Sequence, residues 1–255
     1  MNIQRKRLLE AIAGYRLTLI GTVHGDPRGQ ARAGELLNYL RPDLVTVEIS
    51  PFSLRYRRQH GVRWQRQLAG ALAELPEGAA LHLAIRRLAA QVALPFEVRA
   101  AQDYRRRAGV PWRPLDLGFV SRRHLPRFGP ELLSPANLKA LLTTPDGDLK
   151  ELVAAEFRRA RQAWTRPPRR PISPGASEAR RRERFLARRL RGLTPRHRQV
   201  VHLGGWEHLV AWEDSPGVWG DLADLKPERL LLDEADRLPG FLGVENRGAI
   251  SGVRS

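Results

Sequence analysis

Three side chains with acid–base and metal-ligating chemistry stand at the ends of the most apolar runs of this 255-residue chain. His24 follows the run Leu17 to Val23, Glu48 closes Leu44-Val45-Thr46-Val47, and His208 follows Val200 to Gly205. Imidazole and carboxylate together either ligate a divalent ion or make a general base with the group that orients it. Gly21-x-x-His24 and Gly205-x-x-His208 share one spacing in one context: an apolar run, a glycine, two residues and a histidine. A carboxylate at the end of so apolar a strand is costly unless it is paired or bound. His202, inside its run, reads as a core histidine. His82 falls on an expected helix, and His60, His124 and His197 fall in arginine-rich loops where they are solvated.

The elements that carry these groups are read from pattern. A short amphipathic helix is expected over 1–13 and a strand over 16–23. Asp26 and Pro27 read as the N-cap and first residue of a helix over 27–40, which Arg41-Pro42-Asp43 breaks. The strand over 44–49 completes a βαβ unit, which predicts parallel, adjacent strands with His24 and Glu48 at one edge of the sheet. Residues 51–94 read as mostly helical. Phe96 to Ala101 reads as a short strand entering a helix that Gly109 ends, and Val110 to Asp116 as an edge strand whose prolines cannot donate to a ladder. Further helices are expected over 134–143, capped by Ser134, over 147–164 and over 177–192. The last is strongly basic, and its Phe185, Leu186, Leu190 and Leu193 give it a buried face. Between the last two lies a proline-rich loop over 165–176. Strands over 198–204 and 227–233 precede a glycine-rich tail. The fold class is therefore α/β: a central, largely parallel or mixed sheet flanked by helices, forming one domain over 1–240 with a flexible tail over 241–255.

Composition narrows the classes. With no cysteine there is no disulfide, thiolate ligand or cysteine nucleophile. No apolar run is long enough to span a membrane, and the basic N-terminus lacks a signal-peptide core, so a cytoplasmic protein is the expectation. The net charge of +17 admits nucleic acid as a partner. The basic residues are nearly all arginine, however, spread along helices rather than interleaved with aromatics on a strand surface. Gly21-x-x-x-Gly25 lacks the Lys-Ser/Thr of a P-loop, and neither a G-x-S-x-G elbow nor H-E-x-x-H is present. Glu97, Arg99 and Asp116 lie near expected strand ends and could support a site there.

The chain resembles the TraB/PrgY family, part of a superfamily with the Tiki proteases, the EreA esterase and the haem-binding ChaN. The likeness rests on Gly21-Thr22-Val23-His24, on Glu48 in Val45-Thr46-Val47-Glu48, and on Gly205-Trp206-Glu207-His208. Glu97 to Asp116 and Glu183-Arg184-Phe185-Leu186-Ala187 are weaker matches. The segment after Asp116 departs from the family pattern, leaving Arg122 or Arg123 as its expected partner. The resemblance implies a cleft formed by the two histidine motifs and a hydrolase acting on a peptide or a small ester or amide. His24, Glu48 and His208 would be its catalytic or metal-binding set, and Gly21 and Gly205 would let a ligand approach the backbone. Glu97, Arg99, Asp116, Arg123 and Glu183 are the further ligand-binding candidates. The cofactor it implies is a divalent ion such as manganese, cobalt or zinc; without one, a histidine acts as base with Glu48 orienting it. The second reading is a non-catalytic module that sequesters a peptide, haem or another acidic ligand.

Overall fold

A computed structural model describes residues 17–169, 176–213 and 215–239. The expected helix over 1–13, residues 170–175 of the proline-rich loop and the tail over 241–255 lie outside the described residues. The centre is a five-stranded, all-parallel sheet in the order β3-β2-β4-β1-β5, flanked by helices. The strands are β1 (Leu17–Thr22), β2 (Leu44–Val47), β3 (Trp112–Pro114), β4 (Val200–Gly205) and β5 (Glu228–Leu231). β1, β2 and β4 are buried along their whole length, as a parallel sheet covered on both faces requires.

Between β1 and β2 runs α1 (Gly29–Leu40). The two strands are parallel as expected but not adjacent, because β4 lies between them and pairs with both. Neighbours in sequence often pair in space, yet a strand arriving later can take the central place. Asp26 does not cap α1. Its Oδ1 accepts the Arg28 N–H at 2.9 Å within a turn, and its Oδ2 takes Arg32 Nη1 at 2.7 Å. Arg32 also donates to both oxygens of Asp236, which ties the start of α1 to the 3₁₀ turn Leu232–Arg237.

Helices α2 (Pro51–Ala73) and α3 (Leu83–Val92) fill the segment after β2. Ser50 caps α2 by accepting the Ser53 N–H, with Pro51 in its first turn. His82, expected on a helix, instead caps α3 through Nδ1, while His60 and His124 stand on helices rather than loops. Phe96 to Ala101 is no strand: the whole of Phe96–Ala108 is α4, with Phe96, Glu97, Val98, Ala100, Ala101 and Tyr104 buried at helical spacing. Gly109, at φ 71°, ends it. β3 carries its proline at the sheet edge, where no ladder donor is needed.

Next come α5 (Phe119–Arg127), α6 (Pro135–Leu142), α7 (Leu149–Thr165), α8 (Ala176–Leu193) and α9 (Gly217–Asp221). The main core joins the strands to α1, α4, α7 and α8. A second apolar cluster, with Trp64, Leu68, Ile85, Leu88, Val92, Leu125, Phe128 and Leu138, joins α2, α3, α5 and α6. Leu81, in the turn before α3, is exposed. Among the described residues no helix is long and apolar enough to cross a membrane.

Candidate functional site

The carboxyl ends of β1, β2 and β4 bring His24, Glu48 and His208 to one edge of the sheet, the edge where open α/β sheets bind ligands. The two G-x-x-H segments are not equivalent there. In the β1–β4 ladder Gly21 stands opposite Gly204, and Thr22 opposite Gly205. After β1 the chain leaves the sheet through Val23, and His24 precedes Gly25, which has φ 82°. After β4 it coils at once into the 3₁₀ turn Trp206–Leu209, which returns His208 to the interior.

Glu48 is the hub. Its side chain is only 7% exposed, and both its oxygens are engaged. Oε1 meets His208 Nε2 at 2.9 Å and also accepts from Arg182 Nη2, while Oε2 accepts the Gly205 N–H at 2.7 Å. Arg182, on α8, bridges to Asp116 just beyond β3, donating from Nε at 2.8 Å and from Nη2 at 2.7 Å. Burial alone would push the Glu48 carboxyl up, but the His208 and Arg182 charges and the Gly205 N–H hold it well below the usual carboxylate range. Burial likewise opposes the charge on His208, and Glu48 overcomes it, raising the imidazole above its ordinary 6.5. With Nε2 turned to Glu48, the buried Nδ1 of His208 has no hydrogen-bond partner among the described residues.

A second histidine–carboxylate pair stands beside it. Glu97, in the first turn of α4 and 4% exposed, accepts the Thr22 hydroxyl at 2.8 Å, and the same oxygen lies 3.5 Å from His24 Nδ1. The His24 side chain is 79% exposed. The hydrogen bond with Glu97 and the charges of Glu97, Glu48 and Glu207, partly offset by desolvation, push its pKa up to about 9.

The other sequence candidates divide. Glu97 and Asp116 join the site, and Glu183 is buried on α8, 3.5 Å from the Ser215 hydroxyl. Arg123 makes an exposed pair with Glu178, and Arg99 is exposed. Arg122 lies over the Phe52 ring, so the partner of Asp116 is Arg182, neither of the two arginines expected. Gly21 leaves no room for a ligand: a Cβ there would meet Leu209, Trp206 and Leu231 at 2.9–3.1 Å, so this glycine admits the chain's own 3₁₀ turn. Gly205 gives its N–H to Glu48, and Glu207 folds over its Cα, 2.8 Å from where a Cβ would stand.

Sequence reasoning missed Arg182, Thr22 and Gly204. Arg182 is one of many arginines in α8. Its signal is register alone, four residues before buried Leu186 and eight before buried Leu190. Gly204 is crowded: a Cβ there would stand 2.8 Å from both Glu48 Oε2 and His202 Nε2. His202 is a core histidine as expected, 1% exposed, with Nδ1 3.0 Å from the Thr46 hydroxyl. Burial pushes its pKa down to about 4, so it is neutral at pH 7.

His24, Glu48 and His208 do not fit a divalent ion as they stand. Both Glu48 oxygens are satisfied by donors, the guanidinium of Arg182 sits where a cation would have to approach, and His24 turns its Nδ1 to Glu97. Among the described residues no group of three or more His, Asp or Glu is placed to hold an ion. Compared with protein-family models, curated proteins and solved structures, the chain matches none.

Proposed function

We propose that the chain is a hydrolase of a peptide or a small ester or amide, working by histidine acid–base chemistry and related to TraB/PrgY-like proteins through the motifs that carry that resemblance. The observation that carries the reading is His24: its Nδ1 faces Glu97 and its side chain is exposed at the carboxyl edge of a parallel sheet. A carboxylate behind Nδ1 orients an imidazole so that Nε2 can exchange a proton with a reacting group. In this scheme neutral His24 takes a proton from water as the water oxygen bonds to the carbonyl carbon. It then returns the proton to the leaving oxygen or nitrogen as the scissile bond breaks. The Glu48–His208–Arg182–Asp116 network holds the ends of β2, β3 and β4 beside it.

A pKa of about 9 leaves His24 mostly protonated at pH 7, so the base form, and with it the rate, rises with pH towards that value. The test is turnover of chromogenic esters, amides and peptides with and without a chelator. His24→Ala is expected to lose about a hundredfold or more, within the usual range for a general base, and Glu97→Gln somewhat less. Full activity in His24→Ala, or activity abolished by chelator and restored by manganese, cobalt or zinc, would overturn the scheme.

One observation favours the second reading. A protonated, exposed His24 is also a handle for a carboxylate or phosphate. A sequestering protein would bind such a ligand without turnover.

A further inference from the structure

Beyond the sheet edge, the second apolar cluster carries a surface cavity of about 740 Å³ that no step above uses. Its size lies within the range of small-ligand sites. One wall is the face of α2 that bears Tyr56, His60 and Trp64. Pro126 and Pro130, from α5 and the turn after it, line the cavity as well. Tyr56 and His60 stack at 4.1 Å between centroids, His60 and Trp64 are next at 6.2 Å, and Trp64 packs on Phe128 at 4.9 Å. Aromatic and proline rings thus make up much of the lining, which suits a flat, apolar-faced group.

The polar groups of the cavity point to what that group carries. Arg63 and Arg66 line it and are exposed, and neither meets a carboxylate among the described residues. Several arginines elsewhere are paired: Arg32 with Asp26 and Asp236, Arg161 with Asp233, Arg182 with Glu48 and Asp116, Arg191 with Asp224. Among the described residues no acidic side chain lines the cavity, which disfavours a cationic ligand and leaves two charges for an anion. Gln67 completes the set. Its Nε2 donates to the Gly129 carbonyl at 2.8 Å, which fixes the amide and leaves Oε1 to accept from a ligand N–H. Rings, an amide acceptor and two guanidinium groups are what a nucleobase joined to a phosphate asks of a protein.

The geometry points to a nucleotide site between α2 and α5, with the base against His60, Pro126 and Pro130 and the phosphate on Arg63 and Arg66. The nucleotide is either free or a unit of a single strand. On α2, arginines do interleave with aromatics, on a helix rather than on a strand.

Calorimetric titration of the full chain with adenosine monophosphate, and separately with a short oligoadenylate, tests this. Saturable binding of at least one is expected. It should weaken at least about tenfold in Arg63→Glu/Arg66→Glu, whose positions are exposed and whose folding circular dichroism would verify. It should weaken several-fold in His60→Ala, from lost stacking. Binding of the mononucleotide identifies a free nucleotide as the source, and binding of the oligomer alone identifies a strand. No binding of either, equal binding by the double arginine variant, or displacement by inorganic phosphate at the same concentration as adenosine monophosphate would overturn the site. His24→Ala should leave binding unchanged, so loss of the hydrolase reading would not touch this one.

Discussion

His24 and His208 sit three residues after a glycine in two segments that look like copies, yet one imidazole is 79% exposed and the other 11%. The strands explain the difference. Gly21 pairs with Gly204, so the ladder aligns the segments one residue out of step with their motif spacing. Past the ladder the two segments diverge, into a turn through Gly25 after β1 and a tight 3₁₀ turn after β4. A shared spacing in sequence thus yields one histidine that can meet a ligand and one that is locked into a buried ion network. The first is suited to exchanging protons, the second to fixing the frame.

That contrast can be broken. Glu48→Ala leaves His208 and Arg182 without their shared carboxylate and should cost about 3 kcal/mol. His24→Ala should cost no more than about 0.5 kcal/mol, as exposed substitutions do. Urea unfolding of the two variants checks this, and equal losses would mean the two histidines are structurally alike.

Gly204→Ala sharpens the same point at the backbone. Its Cβ would meet Glu48 Oε2 and His202 Nε2 inside the sheet, at a cost of about 2 kcal/mol. Gly25→Ala, beside His24, meets open space and should cost about 1 kcal/mol from its positive φ alone.

pH separates the two histidines next. The Glu48 carboxyl is depressed below 4.5, so its stabilisation is present above that value and fades as pH falls through the lower folded pKa. His208 is raised above 6.5, so its stabilisation is complete below 6.5 and fades as pH rises through the higher folded pKa. The pair is therefore strongest between about 4.5 and 6.5. His24 loses its own contribution between 6.5 and about 9, and solvent screening keeps that contribution small. Melting temperatures above pH 6.5 should decline less steeply in His208→Asn than in wild type, and almost unchanged in slope in His24→Asn.

The smallest effect concerns the arginine that sequence favoured. Arg123→Ala breaks only an exposed pair with Glu178 and should change stability by less than about 0.5 kcal/mol. Arg182→Ala, by contrast, removes the bridge between Glu48 and Asp116, and an equal, negligible loss there would remove Arg182 from the site.

Much of the frame was legible because apolar runs of strand length and helix caps are local signals. Ser134 with Pro135, and Gly109, each mark the boundary they form. The order of strands was not legible, because no local pattern says that β4 will insert between β1 and β2. Phe96 to Ala101 misled because its aromatic and β-branched residues favour a strand, whereas burial at helical spacing decides the outcome. Of the site, His24, Glu48, Asp116 and His208 were readable as polar groups at strand ends, whereas Glu97 was singled out from an expected strand and joins the site from the first turn of α4. Arg182 was hidden among equal neighbours that only tertiary packing tells apart.

The central position of β4 also sets a schedule for folding. Among the described residues β1 pairs only with β4 and β5, and Thr46 of β2 meets Val201 across 155 positions of sequence. A chain emerging from the ribosome holds β1 with both backbone edges open until residues 200–205 are made. Such long-range parallel pairing is slow, and an open, largely apolar strand is a template for wrong partners. The strand that delivers His24 is thus the one most dependent on late synthesis.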